Sequence, residues 1–192
     1  MRWILTFALI LLVAPITVQA NSFSDVPRSH MAYEAITYLA DQGLLEGRSD
    51  GRFHPDATIT RAEAAKVLAE NRNLTAPSSY SVSAPDLPTS HWGYSYVNAL
   101  AYNNILEGDR RGIRPDSPIS RAEMATTMDR TYSYRSPGSF QNFQDVPFRH
   151  WAYHPVNTLA FNGITTQGGS FYWPSNSVTR AEFSLFVYRT IR

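Results

Sequence analysis

Cysteine is absent from the 192-residue chain, which excludes a disulfide framework, a thiolate zinc site, an iron–sulfur cluster, a cysteine nucleophile and a lipid-modified amino-terminal cysteine. Lysine is nearly absent too, with Lys66 alone beside 16 arginines. Net charge is close to zero, at 17 Lys+Arg against 16 Asp+Glu, so the basic stripe that nucleic-acid binding requires has no compositional support. After residue 18 no stretch is apolar enough to cross a bilayer. What is there, 43% hydrophobic and 17% charged residues with 12 Pro and 10 Gly, suits one sizeable core or several small ones and is neither disordered nor collagen-like.

The amino terminus carries one basic residue, Arg2, an apolar run from Trp3 to Val18, and then Val18-Gln19-Ala20 with small residues at its first and third positions. This pattern predicts a secretory signal peptide over residues 1–20, cleaved after Ala20. Pro15 interrupts the run, which argues against an uncleaved anchor. Cleavage leaves 16 Lys+Arg against 16 Asp+Glu, hence no net charge. Arginine, with its planar fork of donors, suits carboxylates and phosphates, although a coding bias accounts for the arginine excess equally well.

One unit occurs three times. The tripeptide Arg-Ala-Glu stands at Arg61, Arg121 and Arg180, at offsets of 60 and 59, each time behind a hydroxyl residue: Thr60, Ser120 and Thr179. An Asp-x-Pro marker (Asp25, Asp86, Asp145), a His (His30, His91, His150) and a Pro (Pro55, Pro115, Pro174) precede it in the same order. The spacing predicts helix, loop, helix in each unit. The first helix shows apolar residues at helical intervals, as in Tyr33, Ile36, Leu39 and Ala40, and stops near Gly43, Asn104 and Gly163, which tolerate a left-handed cap. The second opens with a capping box, Thr60 with Glu63, Ser120 with Glu123 and Thr179 with Glu182. Capping explains the hydroxyl and the Glu but not the Arg, a cation at the positive end of a helix dipole, where it is disfavoured by about 0.3–1 kcal/mol. Its recurrence implies a task.

The expected organisation is a signal peptide over 1–20, units over 21–70, 85–130 and 142–192, and polar linkers over 71–84 and 131–141. A unit of this size has little core of its own. The expected fold is therefore mainly α, with three helix-loop-helix modules packed around a pseudo-threefold axis and a shared helical core.

Phe23-Ser24-Asp25-Val26-Pro27, His91-Trp92, His150-Trp151-Ala152-Tyr153 and Thr60-Arg61-Ala62-Glu63 resemble the S-layer homology (SLH) module, and the resemblance covers nearly all of residues 23–192. It implies three tandem modules forming a compact pseudo-trimer around a central helical bundle. It also implies a non-catalytic anchor at the bacterial surface, secreted to the wall, the cell surface or the periplasm. The partner it implies is peptidoglycan-linked secondary cell-wall polysaccharide, pyruvylated or otherwise anionic, held in inter-module grooves. Carried over residue by residue, the groove arginines are Arg61, Arg121 and Arg180, the aromatic platform is Trp92 and Trp151, and the loop glycines are Gly47, Gly108 and, less closely matched, Gly168. A ketal carboxylate would suit an Arg fork beside free amides at a helix start. The alternative is that the tryptophans fill core and the arginines tie modules together. The copies differ: Met31 replaces the Trp in copy one, and Thr165-Thr166-Gln167-Gly168-Gly169-Ser170 replaces the charged loop in copy three. A site pairing Arg121 with Trp92 is expected to be best preserved.

Three other readings compete. The repeated His and Asp could form a metal site, but capping or turn hydrogen bonding suits a His five residues after an Asp better, and neither a metal nor a cofactor is expected. Catalysis is not expected, because Glu63, Glu123 and Glu182 are committed to caps and His54 and His154 stand alone. An envelope adaptor that binds another protein keeps the same fold. Because the sequence stops shortly after Glu182, with no cargo segment expected, Tyr132, Tyr134, Tyr172 and Trp173 are candidates for such a contact.

Overall fold

The computed structural model describes residues 23–141, 143–165 and 169–192. The signal-peptide reading and Gly168 lie outside them. Six helices follow one another: α1 (Tyr33–Asp41), α2 (Arg61–Arg72), α3 (Tyr94–Tyr102), α4 (Arg121–Tyr132), α5 (Tyr153–Phe161) and α6 (Arg180–Ile191). Among the described residues the only extended pairing is a set of isolated bridges. The architecture is mainly α, built from three helix-loop-helix modules, as the spacing predicts.

The caps are where the sequence places them. Thr60, Ser120 and Thr179 each accept the N–H of the Glu three residues on, and that Glu reaches back to the N-cap N–H. The shorter helices α1, α3 and α5 open on a histidine turn, in which Nδ1 of His30, His91 and His150 accepts the N–H of Ala32, Gly93 and Ala152 at 3.0–3.1 Å. They close on residues of positive φ, Gly43 (68°), Asn104 (57°) and Gly163 (70°). The repeated His is thus part of a turn, and among the described residues no cluster of His, Asp and Glu could hold a metal ion.

The helices pair across the repeat: α2 packs on α3, α4 on α5, and α6 on α1. The first helix of each unit therefore covers the second helix of the unit before it, and the last pairing closes the ring. All three units contribute to one hydrophobic core, from Ile36, Leu39 and Leu68 through Leu100 and Met128 to Leu159, Phe183 and Phe186. Where the starts of α2, α4 and α6 converge, three backbone bonds run in a cycle: Ile59 N–H donates to the Val178 carbonyl (3.0 Å), Val178 to Ile119 (3.0 Å) and Ile119 to Ile59 (3.1 Å). Their side chains are fully buried. The pseudo-threefold relation is thereby written into the hydrogen bonding, and no unit can satisfy this backbone alone. Among the described residues no helix is long and apolar enough to cross a membrane.

Truncating Ile119 leaves a void at the junction of all three units. Ile119→Ala is expected to cost about 2–5 kcal/mol, read as a lower urea midpoint with an unchanged slope in a single transition. Separate transitions for the units would contradict the shared core.

Candidate functional site: grooves between the units

Each of the three arginines leaves its own unit and enters the next. Arg61 Nε donates to the Ile113 carbonyl at 2.7 Å and Nη2 to the Glu107 carbonyl at 2.9 Å, while Nη1 pairs with Glu123 at 3.0 Å. Arg121 does the same with the Tyr172 carbonyl (2.9 Å) and Glu182 (2.9 Å). Arg180 does so with the carbonyls of Phe53 (2.8 Å) and Glu46 (2.6 Å), and with Glu63 at 3.6 Å. The guanidinium carbons of Arg121 and Arg180 also lie 4.6 and 4.5 Å over the rings of Tyr172 and Phe53. All three arginines are buried, at 1–3% exposure. Burial lowers the Arg180 pKa to about 10 and that of Arg61 in the same direction, and both stay cationic at neutral pH.

This arrangement answers why a cation sits at a helix start. The Glu that closes the capping box of the neighbouring helix also neutralises the Arg. The amides expected to be free at that start are taken: Arg61 N–H donates to the Ser117 carbonyl (3.0 Å), Ala62 N–H to Pro115 (2.9 Å) and Glu63 N–H to its own cap. The other two copies repeat this with Asn176 and Pro174, and with Ala57 and Pro55. An anion cannot use these amides without displacing the neighbouring unit, so the helix starts are joints rather than open anion sites.

The receiving loop is held in turn by the Asp-x-Pro aspartate. Asp25 accepts the N–H groups of Phe53 (3.0 Å) and His54 (2.7 Å), Asp86 those of Ile113 (3.0 Å) and Arg114 (2.6 Å), and Asp145 those of Tyr172 (2.8 Å) and Trp173 (2.7 Å). The second residue of each pair has a positive φ, 58° at His54 and 56° at both Arg114 and Trp173. That conformation is strained for a non-glycine residue before proline, and the carboxylate holds it. It turns the Phe53, Ile113 and Tyr172 carbonyls towards the arginines.

Grooves open beside these joints. One of about 660 Å³ is lined by Arg61, Gly108, Arg111, Arg114, Glu123 and Trp151, and also by Asp129 and Arg130. A second, about 210 Å³, is lined by Gly47, Arg48, Glu63, Lys66, Trp92 and Arg180. Each of these two grooves thus takes its Arg from one unit, its Gly loop from the next and its Trp from the third. Arg121 and Trp92 do not share a groove, which corrects the expected pairing: Trp92 stands with Arg180 and Trp151 with Arg61. By the same rotation Arg121 belongs with the position held by Met31. Sequence order could not show this, because the Trp that follows a His in one unit faces the joint between the two others.

The tryptophans do not fill core. Trp92 and Trp151 are 53% and 63% exposed, each stacked on its preceding histidine at 5.6 Å. Gly47 and Gly108 line the grooves, and a Cβ there would come within 2.7 Å of the Phe23 ring and 2.8 Å of the Gly112 carbonyl, so both also serve close packing. The expected protein-contact tyrosines are largely withdrawn: Tyr172 is fully buried, Tyr132 bonds Asn71 (2.8 Å) and Tyr134 bonds Thr190 (2.6 Å), while Trp173 stays 46% exposed. Sequence reasoning missed the basic residues Arg48, Arg111 and Arg114, which line the same grooves. Their positions in the Gly loop and just before the Pro were the available signal.

The S-layer homology domain family matches residues 22–65 and 85–125. S-layer protein EA1 of Bacillus anthracis is 30% identical over 93% of this chain and 21% of its own length, and S-layer protein sap of the same organism is 28% identical over 93% and 22%. An amylopullulanase of Thermoanaerobacterium thermosulfurigenes is 27% identical over 88% of this chain and 9% of its own length. The chain spans about a fifth of the length of the two surface-layer relatives.

Loss of Arg61 takes the donor from the Ile113 and Glu107 carbonyls, while Glu123 keeps Arg114 at 2.7 Å, so Arg61→Ala is expected to cost about 2–4 kcal/mol of stability, whereas Trp151→Ala should stay within about 0.5 kcal/mol; thermal melts of the two variants check both. The pH response follows from the latches. At Asp25 and Asp86 burial raises the carboxyl pKa but the backbone N–H groups outweigh it, and at Glu123 the Ser120 N–H and Arg61 do the same, so all three lie below their ordinary values. Their stabilisation is complete above the ordinary carboxylate range near pH 4 and is lost as pH falls through the lower folded-state values. Melting temperature should therefore drop below about pH 4, and Asp86→Asn should shrink that drop.

Proposed function

Because the chain belongs to the S-layer homology family, we propose that it is a non-catalytic anchoring module of the bacterial cell envelope that holds peptidoglycan-linked secondary wall polysaccharide in the grooves between its units. The observation that carries this reading is the groove of about 660 Å³ in which an exposed indole, Trp151, faces the arginine-bearing wall formed by Arg61, Arg111 and Arg114. An indole offers an apolar face to a sugar ring and guanidinium groups offer paired donors to a carboxylate. The volume lies in the range of pockets that bury a small organic ligand.

The roles divide by exposure. Arg61 and Arg180 are committed to the joints and give the ligand a positive wall. The groups free to rearrange are outermost. Arg111 is 72% exposed side chain and bonds Asp109, which also meets Arg114 at 3.4 Å. The side-chain bond from Arg111 holds the Asp109 carboxyl down at about 2. A pyruvate ketal or other sugar carboxylate would take the place of Asp109 on these two arginines. In the smaller groove Arg48 and Lys66 offer the same choice beside Trp92. The joint of Arg121 has Thr165 and Glu182 as partners and no Trp in its rotation, so it is the weakest candidate.

The relatives that share this stretch include surface-layer proteins and enzymes, and the chain matches the SLH stretch of each and not the remainder of their length. A second reading, in which another envelope protein is bound, draws on the exposed aromatic group of Phe148 (73% exposed), Phe140 and His154.

Cosedimentation with purified wall sacculi, before and after mild acid treatment that strips the secondary polymer and its ketal, separates the two. The protein is expected to pellet with untreated sacculi and to stay in solution with stripped ones. Trp151→Ala and Arg111→Ala should each weaken binding about tenfold, or about 1.4 kcal/mol, with melting unchanged. Failure to pellet with the untreated sacculi of its host would shift the weight to a protein partner.

A further inference from the structure

One acidic side chain in the larger groove has no part in the joints. Asp129 lies on α4 and lines the groove together with Thr126, Arg130, Trp151 and Pro155. The positions that match it on α2 and α6, counted from the first-turn arginine, are Ala69 and Tyr188. The repeat therefore builds its second helix equally well from a methyl or a phenol at this place, and packing does not ask for a carboxylate. Among the described residues the Asp129 carboxylate has no hydrogen-bond or ion-pair partner. Its neighbour Arg130 turns to Glu107 instead, at 3.0 Å. Burial raises the Asp129 pKa above the ordinary carboxylate value, with Arg130 and His154 offsetting this only in part. An acid in a partly desolvated wall without a partner costs stability, and a residue that weakens its own fold in a binding groove is the kind that serves a ligand.

Resting on the anchoring reading above, we propose that Asp129 is a specificity-determining residue of this groove, accepting hydrogen bonds from the vicinal hydroxyls of a neutral sugar ring packed against Trp151. The chemistry is specific in both directions. An ionised carboxylate has acceptors only, which suits a diol with two O–H donors and repels a second anion. A neutral ring is therefore selected beside Asp129, and the anionic group of the polymer is directed to Arg111 and Arg114, which line the same groove. The ligand is then a segment of at least two sugar units, one neutral and one anionic. A site built to bond a hydroxyl also discriminates strongly against a ring that lacks it, since the acceptor is left unpaired.

The test uses the whole chain and sacculi of a surface-layer bacterium in three forms: intact, acid-stripped, and mildly oxidised with periodate, which cleaves vicinal diols and leaves a ketal-linked carboxylate in place. Asp129→Ala is expected to weaken binding to intact sacculi about 10- to 100-fold, the range of one or two bonds to a charged acceptor. Its melting temperature should equal or exceed that of the native protein, an outcome that a merely structural role would reverse. Asp129→Asn, which keeps one acceptor, should fall between. Periodate should bring the native protein down to the level of Asp129→Ala and leave that variant unaffected. Native-like binding by Asp129→Ala, or binding of the native protein that ignores periodate, overturns this inference, while loss of binding on acid stripping alone leaves the anchoring reading standing. Failure of the native protein to bind intact sacculi overturns both.

Discussion

The first-turn arginine of α2, α4 and α6 is the tie on which the rest of the molecule depends. Each guanidinium crosses into the next unit, bonds loop carbonyls there and pairs with the Glu of the next capping box. A buried charge of this kind is tolerable only when its donors are met, and here the carbonyls and the carboxylate meet them together. The same Glu caps its own helix, so one carboxylate serves both the helix start and the contact between units. The aspartate latches add the third layer, holding a strained residue before proline so that the receiving carbonyl points at the arginine.

Closure follows from the cyclic order of these ties. Unit one reaches into unit two, two into three, and three back into one, with the backbone cycle of Ile59, Ile119 and Val178 at the centre. Helices pair across unit boundaries for the same reason: the partner of α2 is α3, and α6 must return to α1. The sequence repeat and the packing unit are therefore out of step. The two grooves lie where three units meet, with one supplying the arginine, the next the glycine loop and the third the tryptophan.

The inequality of the copies has physical content in this frame. Rotation places Trp151 over the Arg61 joint and Trp92 over the Arg180 joint, and leaves Met31 to the joint of Arg121. The charged loop of copy two, with Asp109, Arg111 and Arg114, borders the larger of the two grooves. Stability is repeated three times, because every joint closes the ring, whereas the exposed groups that could meet a ligand differ from groove to groove. Asp129, matched by Ala69 and Tyr188, is the sharpest of these differences.

Local features were legible in the residues. The capping boxes, the left-handed helix ends at Gly43, Asn104 and Gly163, and the threefold count of units all follow from short-range rules, since a cap or a turn involves neighbours three or four positions apart. The anomaly of a cation at a helix start was visible as well. Its resolution was not visible, because Arg61 meets Ile113 and Glu123, and Arg180 meets Phe53, over separations that no periodicity encodes. The use of the helix-start amides by the next unit, and the pairing of Trp151 with Arg61 rather than Trp92 with Arg121, are likewise properties of rotation about the axis. Sequence alone determined the unit, its caps and its number, since these are written in local chemistry. Only the tertiary structure decided which copy serves which groove, since that is set by the hand and closure of the ring.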